Sequence, residues 1–531
     1  MNSNESRKLN PFEIKQEISR FANVASKSKI LIDEEEFALL DSQENKEDIV
    51  KLLLKEFKRC NDNIMAEIKI LLERYTEPEH LIYEMENILT DNESSNNLKL
   101  HAIEVLSHVN KNWHEEDYQQ YLEYDEEKVF QDTKTLLKNS KSNPEIQLDF
   151  LDFLATIADA DKYTLLEAMS EEQSGEDLAN VLVPVFLSYM DSPIGIYALN
   201  LLKSTKSVYA YRSLSEIYDI IGKNLQPAVK KCITELKFSG ADRVVDKIHD
   251  YTNGQFSFVP PDSDGNYCLF YEKKYIDNGD NKSDFFSVVA NDYSGISECI
   301  GFIGISEFEL SVFREKLLDE CKDVEISPSM FKYFLHKAEK LTYETSAPPY
   351  EYNCWKQLFI DIPIENLDLD KILSDEYVVK KYTEIELSDI FEEDFTLYWF
   401  YSQDFSNETK EFFDFMNNNF KTNNLKNIDL TAIVKKGLHI IIDAKEREKW
   451  SERFLISSLY CHNKKAQNLA QILYSISKDE HNQEILYNTI IKYSIFKYFY
   501  EFQTENNYSI FTKNDLTNIL KFLKNEWSLY V

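Results

Sequence analysis

From about Glu47 to about Val245, apolar residues recur at helical spacing between short polar breaks, and the helices come in pairs with a shared internal pattern. Residues 177–190 (DLANVLVPVFLSYM) form an apolar run, and Asp191-Ser192-Pro193 breaks the chain and opens a second helix over 194–204. Proline suits a first helical position because its missing N–H has no partner there. The pattern returns thirty-four residues later, with a helix over 208–222, a stop at Gly222 and Asn224, and a new helix opened by Pro227. Five positions after each proline stands a small residue, Ala198 or Cys232, followed by Leu199 and Leu202 or by Ile233 and Leu236. These positions are expected in a shared core, with Ala198 and Cys232 at close helix contacts. Pro144 starts a looser copy with Phe150 and Phe153 at the large positions, and Asn97 another with Ala102, Ile103 and Leu106.

The pattern changes near residue 250, where Gly254, Gly265, Gly279, Gly295, Gly301 and Gly304 crowd together between strand-like runs at 255–259, 267–275 and 285–290. Asp264-Gly265 and Asp277-Asn278-Gly279-Asp280 read as hairpin turns. Ser306 with Glu309 forms a capping box. A small α+β insert follows from this, a three-stranded antiparallel meander and a helix over 307–321, carrying the chain's one substantial sheet. Ser327-Pro328 then opens a helix to about Leu341, and Ala347-Pro348-Pro349 makes a rigid turn before 350–359. Further helices are expected near 385–402, 406–418, 429–441, 445–461, 463–477, 483–501 and 513–528, with 445–461 and 463–477 as a tight hairpin. The segments are a helical arm (1–45), helix pairs (46–245), the α+β insert (246–325) and a C-terminal helical region (326–531).

The copies start at intervals of 47, 49 and 34 residues, which bracket the HEAT/armadillo period of about 40–47. One amphipathic pair cannot bury its stripe alone, and stacking neighbours gives a continuous core. Residues 46–245 thus resemble HEAT repeats, which implies a mainly α fold built as an α-α solenoid. No Arg lies between Arg74 and Arg212, so the Asp/Arg ladder common in such repeats is missing, and a generic α-α superhelix fits the same pattern. The order of parts, with FSVVANDYSGISECIG and then SPSMFKYFLHKAEKL after the helix pairs, resembles a group of bacterial HEAT-repeat proteins and implies no activity.

Composition narrows the function more than the fold. At 531 residues the chain exceeds one core. Its 11 glycines leave little material for phosphate loops or a large β-domain. A net charge of -34 would repel nucleic acid on approach. Seven scattered cysteines without a C-x-x-C pair suit a reducing compartment. Neither a signal sequence nor a membrane span is legible, and the expected location is the cytoplasm.

His101, Glu104 and His108 share one helix face at metal-ligand spacing, but read better as polar residues on the solvent side of a repeat helix. Asp262-Ser263-Asp264-Gly265-Asn266 begins like a calcium loop, yet Gly265 is fourth and Lys273 twelfth where such a loop needs glycine sixth and glutamate twelfth. Cys461-His462 reads as a buried thiol beside a helix-terminal histidine. Residues 421–465 carry ten Lys/Arg against five Asp/Glu; a solvated face is the plainer reading of that strip, docking onto the acidic N-terminal half the other.

The expected function is therefore non-enzymatic: a scaffold holding a protein or peptide on its concave face, with Lys99, Asn200, Lys203, Lys230 and Lys231 in contact, and without metal, cofactor or membrane. An enzyme would instead place Tyr267, Tyr271, Asp292 and His249 in a groove between the helix pairs and the insert. A HEAT-like nucleic-acid binder would need a continuous lysine strip.

Overall fold

The computed structural model describes residues 9–503, apart from short segments at 26–27, 29–31, 33, 44–45, 62–63, 112–117, 119–120, 123–125, 142, 173–174, 245–246, 249–250, 252, 319–320, 403–405 and 423–429. The chain is mainly helical, with one small antiparallel sheet. Helices α1 (Pro11–Ala25), α2 (Glu34–Asp41), α3 (Lys46–Phe57), α4 (Met65–Tyr75), α5 (Pro78–Thr90) and α6 (Asn96–Val109) share one apolar core, reaching from Ile14 to Tyr118. A second core begins at Leu137 and runs without interruption to Ile495. It takes in α7 (Glu126–Asn139), α8 (Pro144–Thr156), α9 (Asp159–Glu172), α10 (Glu176–Ser188), α11 (Pro193–Thr205), α12 (Val208–Ile217) and α13 (Gln226–Phe238), then one face of the sheet and the helices after it.

The helix starts follow the local chemistry. Asn143, Ser192 and Ser207 accept backbone N–H bonds from the first turns of α8, α11 and α12, and Pro144 and Pro193 fill first positions whose N–H would be orphaned. In α10 every residue from Leu178 to Leu187 is buried, Pro184 included. A helix apolar all round belongs in a core, and among the described residues no helix is long and apolar enough to cross a membrane.

The repeated pattern at the two prolines lands where its spacing puts it. Ala198, Leu199, Leu202, Cys232 and Leu236 are buried, and Ile233 is half-buried against the same core. The Pro144 copy needs correction: Phe153 is 52% exposed, and the buried stripe is Gln147, Phe150, Leu151 and Leu154. Those positions follow i, i+3, i+4, i+7, and Phe153 falls off that line.

The sheet has five strands where three were expected: β1 (Gln255–Val259), β2 (Asn266–Asp277), β3 (Asp280–Asn291), β4 (Gly295–Ser306) and β5 (Val324–Glu325), in the order β4-β3-β2-β1-β5, all antiparallel. Strand β4 is masked in the sequence because Gly295, Gly301 and Gly304 look like turn residues. Two of them instead admit helices onto the sheet. A Cβ on Gly301 would lie 2.2 Å from the Trp355 ring, and one on Gly295 would meet the backbone of α15 (Pro328–Thr345). The β2–β3 turn is Asn278-Gly279 with φ of 52° and 93°, and Asp277 pairs with Asp280. Positive φ at both central residues is the type I′ geometry that continues a twisted hairpin. Helix α14 (Glu307–Leu318), capped by Ser306 through Glu309, covers the other sheet face over Phe270, Phe285 and Ile305.

Beyond α15 come α16 (Tyr350–Trp355), α17 (Leu369–Ser374), α18 (Glu384–Ser388), α19 (Asn407–Thr422), α20 (Leu430–Ile441), α21 (Ala444–Asn463), α22 (Gln467–Lys478) and α23 (Glu480–Gln503). The single helix expected over 385–402 is α18 followed by 3₁₀ turns at Asp389–Glu392 and Asp394–Trp399. The aromatics there reach different neighbours, Phe391 toward Tyr493, Phe395 toward Tyr460 and Trp399 toward Trp450, which one regular helix face would not allow. The helix expected over 513–528 lies outside the described residues.

Candidate functional site

Helices α11 and α13 lie side by side. Helix α11 begins at Pro193 and α13 at Gln226, with Pro227 second; the Cys232 Sγ lies 3.6 Å from the Leu199 carbonyl oxygen, and Ala198 and Cys232 are wholly buried. A side chain larger than Cys at 232 would push the two backbones apart. Burial also lifts the Cys232 thiol to about 12, so it stays protonated and packs as a small hydrophobe.

The stripe Val229, Cys232 and Leu236 faces inward, which turns the opposite side of α13 to solvent. Pro227, Lys230, Lys231, Thr234, Lys237 and Phe238 are all exposed there. At 100° per residue they span about 120° of the helix surface. On α11, Asn200 is exposed and Lys203 half-buried, and the Lys203 amine bonds the Asn200 side-chain oxygen. The charge of Lys203 is felt at Cys232 on the neighbouring helix. Lys99 is not part of any such surface. It is 9% exposed, its stem buried along α6 and its amine donating to the Tyr121 carbonyl at 3.3 Å.

The other candidates disperse. His108 pairs with Glu73 at 3.1 Å, Glu104 bonds Lys69, and His101 sits 3.6 Å from Glu104. Among the described residues no group of three or more His, Cys, Asp or Glu is placed to hold a metal ion. The Asp262 carboxylate accepts from the Asp264 and Asn266 amides at 2.9 and 2.8 Å and so closes the β1–β2 turn. Cys461 is buried with its thiol lifted to about 12, while the His462 Nδ1 lies 2.9 Å from the Tyr377 hydroxyl, so thiol and imidazole serve different neighbours.

Of the residues expected in an enzyme's groove, Tyr267 and Asp292 line one cavity against the helices after the sheet, and Tyr271 lies apart from it. Tyr271 is buried against Phe256 and Phe359, Tyr267 against Phe334, and His249 lies outside the described residues. Asp292 turns away from the helix pairs to meet Arg453 of α21, an anchor absent from the sequence expectations. Arg453 is wholly buried and grips Asp292 with two bonds (2.7 and 3.1 Å), Glu446 with a third (2.5 Å) and the Ser263 carbonyl at 3.0 Å. Tyr401 and Tyr293 donate to Glu446, and the Trp450 indole donates to Tyr401 at 2.7 Å. A cavity of about 230 Å³ beside this knot is lined by Tyr267, Asn291, Asp292, Lys337, Lys449 and Glu452. Two of those side chains pair across it, Lys337 with Glu452, and Lys449 bonds the Asp292 carbonyl. With these groups spent on one another, the knot clamps sheet to helix; the signal for it is the Glu446/Trp450/Arg453 face of α21.

The basic stretch 421–465 likewise does not reach the N-terminal helices through its described cations. Arg447 pairs with Glu484, Lys464 with Glu393 and Arg453 with Asp292, all in the C-terminal half or the sheet. Comparison with known proteins finds no matching family model, no matching curated protein and no matching solved structure.

Proposed function

We propose that this chain is a non-enzymatic scaffold of HEAT-like stacked helix pairs, and that it holds a protein or peptide partner on the solvent side of its second helices. The observation that carries this reading is the shared register of α11 and α13. Two helices with the same pattern lie side by side with the small residue of each buried, and leave Asn200, Lys230 and Lys231 exposed and Lys203 half-buried. A repeating surface of that kind offers extended contact area without a deep pocket. The buried knot around Arg453 supports a binding role over a catalytic one, since its charged groups neutralise one another in place.

Affinity capture from extract of the native host tests the reading. Wild-type protein should retain a partner that a variant with alanine at 200, 203, 230 and 231 releases, while both unfold at the same urea concentration. Equal capture by the two proteins would refute it.

A further inference from the structure

We infer that the exposed face of α13 takes an acidic peptide segment of another protein, with an apolar side chain of that segment seated on Phe238. The inference deepens the scaffold reading and rests on it. It starts from a local reversal of charge. The chain carries -34 overall, yet residues 199–248 hold nine Lys/Arg against five Asp/Glu.

Several arginines are spent internally: Arg20 on Glu17 and Glu36, Arg74 on Glu34 and Asp41, Arg314 on Glu272 and Asp323. On α13, among the described residues, Lys230 and Lys231 have no carboxylate partner, and Lys237 has only a long contact of 3.7 Å with Asp242. These lysines give the face a positive charge that an acidic segment complements.

The second observation is Phe238. At 86% it is the most exposed large apolar side chain among the described residues, and it sits on the same face as the lysines, one turn beyond Thr234. The ring offers apolar area beside the cations, and phenylalanine is a residue type that interfaces bury.

Charge decides the chemistry of the occupant. A short acidic segment responds to charges within a Debye length of about 8–10 Å, where α13 is positive. A nucleic acid extends beyond that range and meets the negative remainder of the surface. A second copy of this chain would bring its own -34 with it.

The test uses the full chain and a fluorescein-labelled twelve-residue peptide of glutamates interspersed with leucines, followed by anisotropy at physiological salt. Saturable binding is expected, weakened more than about tenfold by Lys230→Glu with Lys231→Glu, by a few fold by Phe238→Ser, and lowered by added salt. The matching lysine–leucine peptide should not bind. No saturable binding of the glutamate peptide, or binding that the double variant leaves unchanged, overturns the inference. So does tighter binding of a single-stranded RNA of twelve nucleotides, or a dimer in sedimentation that the double variant dissolves. The two readings fail separately. Capture from extract that depends on 200, 203, 230 and 231, without glutamate-peptide binding, removes the acidic partner alone; loss of both removes the scaffold as well.

Discussion

Asp262 shows how one side chain ties sequence, turn and stability together. Its carboxylate is buried beneath the β1–β2 loop and near Asp264, and burial with that like charge lifts it to about 6 from an ordinary 3.8. A carboxyl whose folded pKa is raised binds its proton more tightly in the folded state, so it stabilises below the unfolded value and that contribution is lost as pH rises through about 6. Urea midpoints between pH 4 and 6.5 should therefore carry a downward component that Asp262→Asn removes, since an amide oxygen still accepts from the Asp264 and Asn266 amides. A profile identical in the variant would show that Asp262 does not titrate in that window. Gly195 gives a second residue-scale test. A Cβ there would lie 1.9 Å from the Tyr189 carbonyl oxygen. Gly195→Ala should thus destabilise by about 1–3 kcal/mol through overpacking, although alanine is intrinsically the better helix former by about 1 kcal/mol. A variant more stable than wild type in urea would contradict that packing.

At the scale of elements, the legible parts are those with strong local chemistry. Pro144, Pro193 and Pro328 open their helices because the serine or asparagine before each accepts from the first turn. Strand β1 is readable from its alternation, and the Asn278-Gly279 turn from its dipeptide. What stays hidden is set by tertiary contact. Strand β4 uses glycine to admit Trp355 and α15, a demand that exists only once those helices have docked. Phe153 defeats the pattern because an exposed aromatic at helical spacing looks like core until its neighbours are known. The hairpin turn supplies a clean prediction. Gly279 sits at φ 93° in open space, with no atom within 4 Å of where a Cβ would stand, so Gly279→Ala should cost about 1–2 kcal/mol from backbone conformation alone. The same substitution at Gly301 should cost more, since it would press a methyl group into Trp355. Equal midpoints for the two variants would contradict this division.

For the whole molecule, the composition change near residue 250 marks a change of secondary structure, while the apolar core continues across it from α13 through the sheet to α23. The sheet is thereby fixed between helices on both sides, and Arg453 is the polar fastening on the C-terminal side. The sequence shows only its local half, the Glu446/Trp450/Arg453 face of α21, because Asp292 is 161 residues away. Arg453→Met would leave Glu446 buried and Asp292 half-buried without their cation, and should cost about 3–5 kcal/mol in urea unfolding. A loss under about 1 kcal/mol would mean that water takes the cation's place. The proposed contact face is partly legible: the register of the prolines locates α11 and α13, but Lys99 is drawn into the interior by Tyr121, and Phe238 stands outside every pattern. The most direct test of the scaffold account is site-specific photo-cross-linking in native-host extract, with the reactive side chain at 200 or 230 on the second helices and at 215 on α12. The account predicts the same partner adduct from 200 and 230 and none from 215; adducts from 215 alone would contradict it.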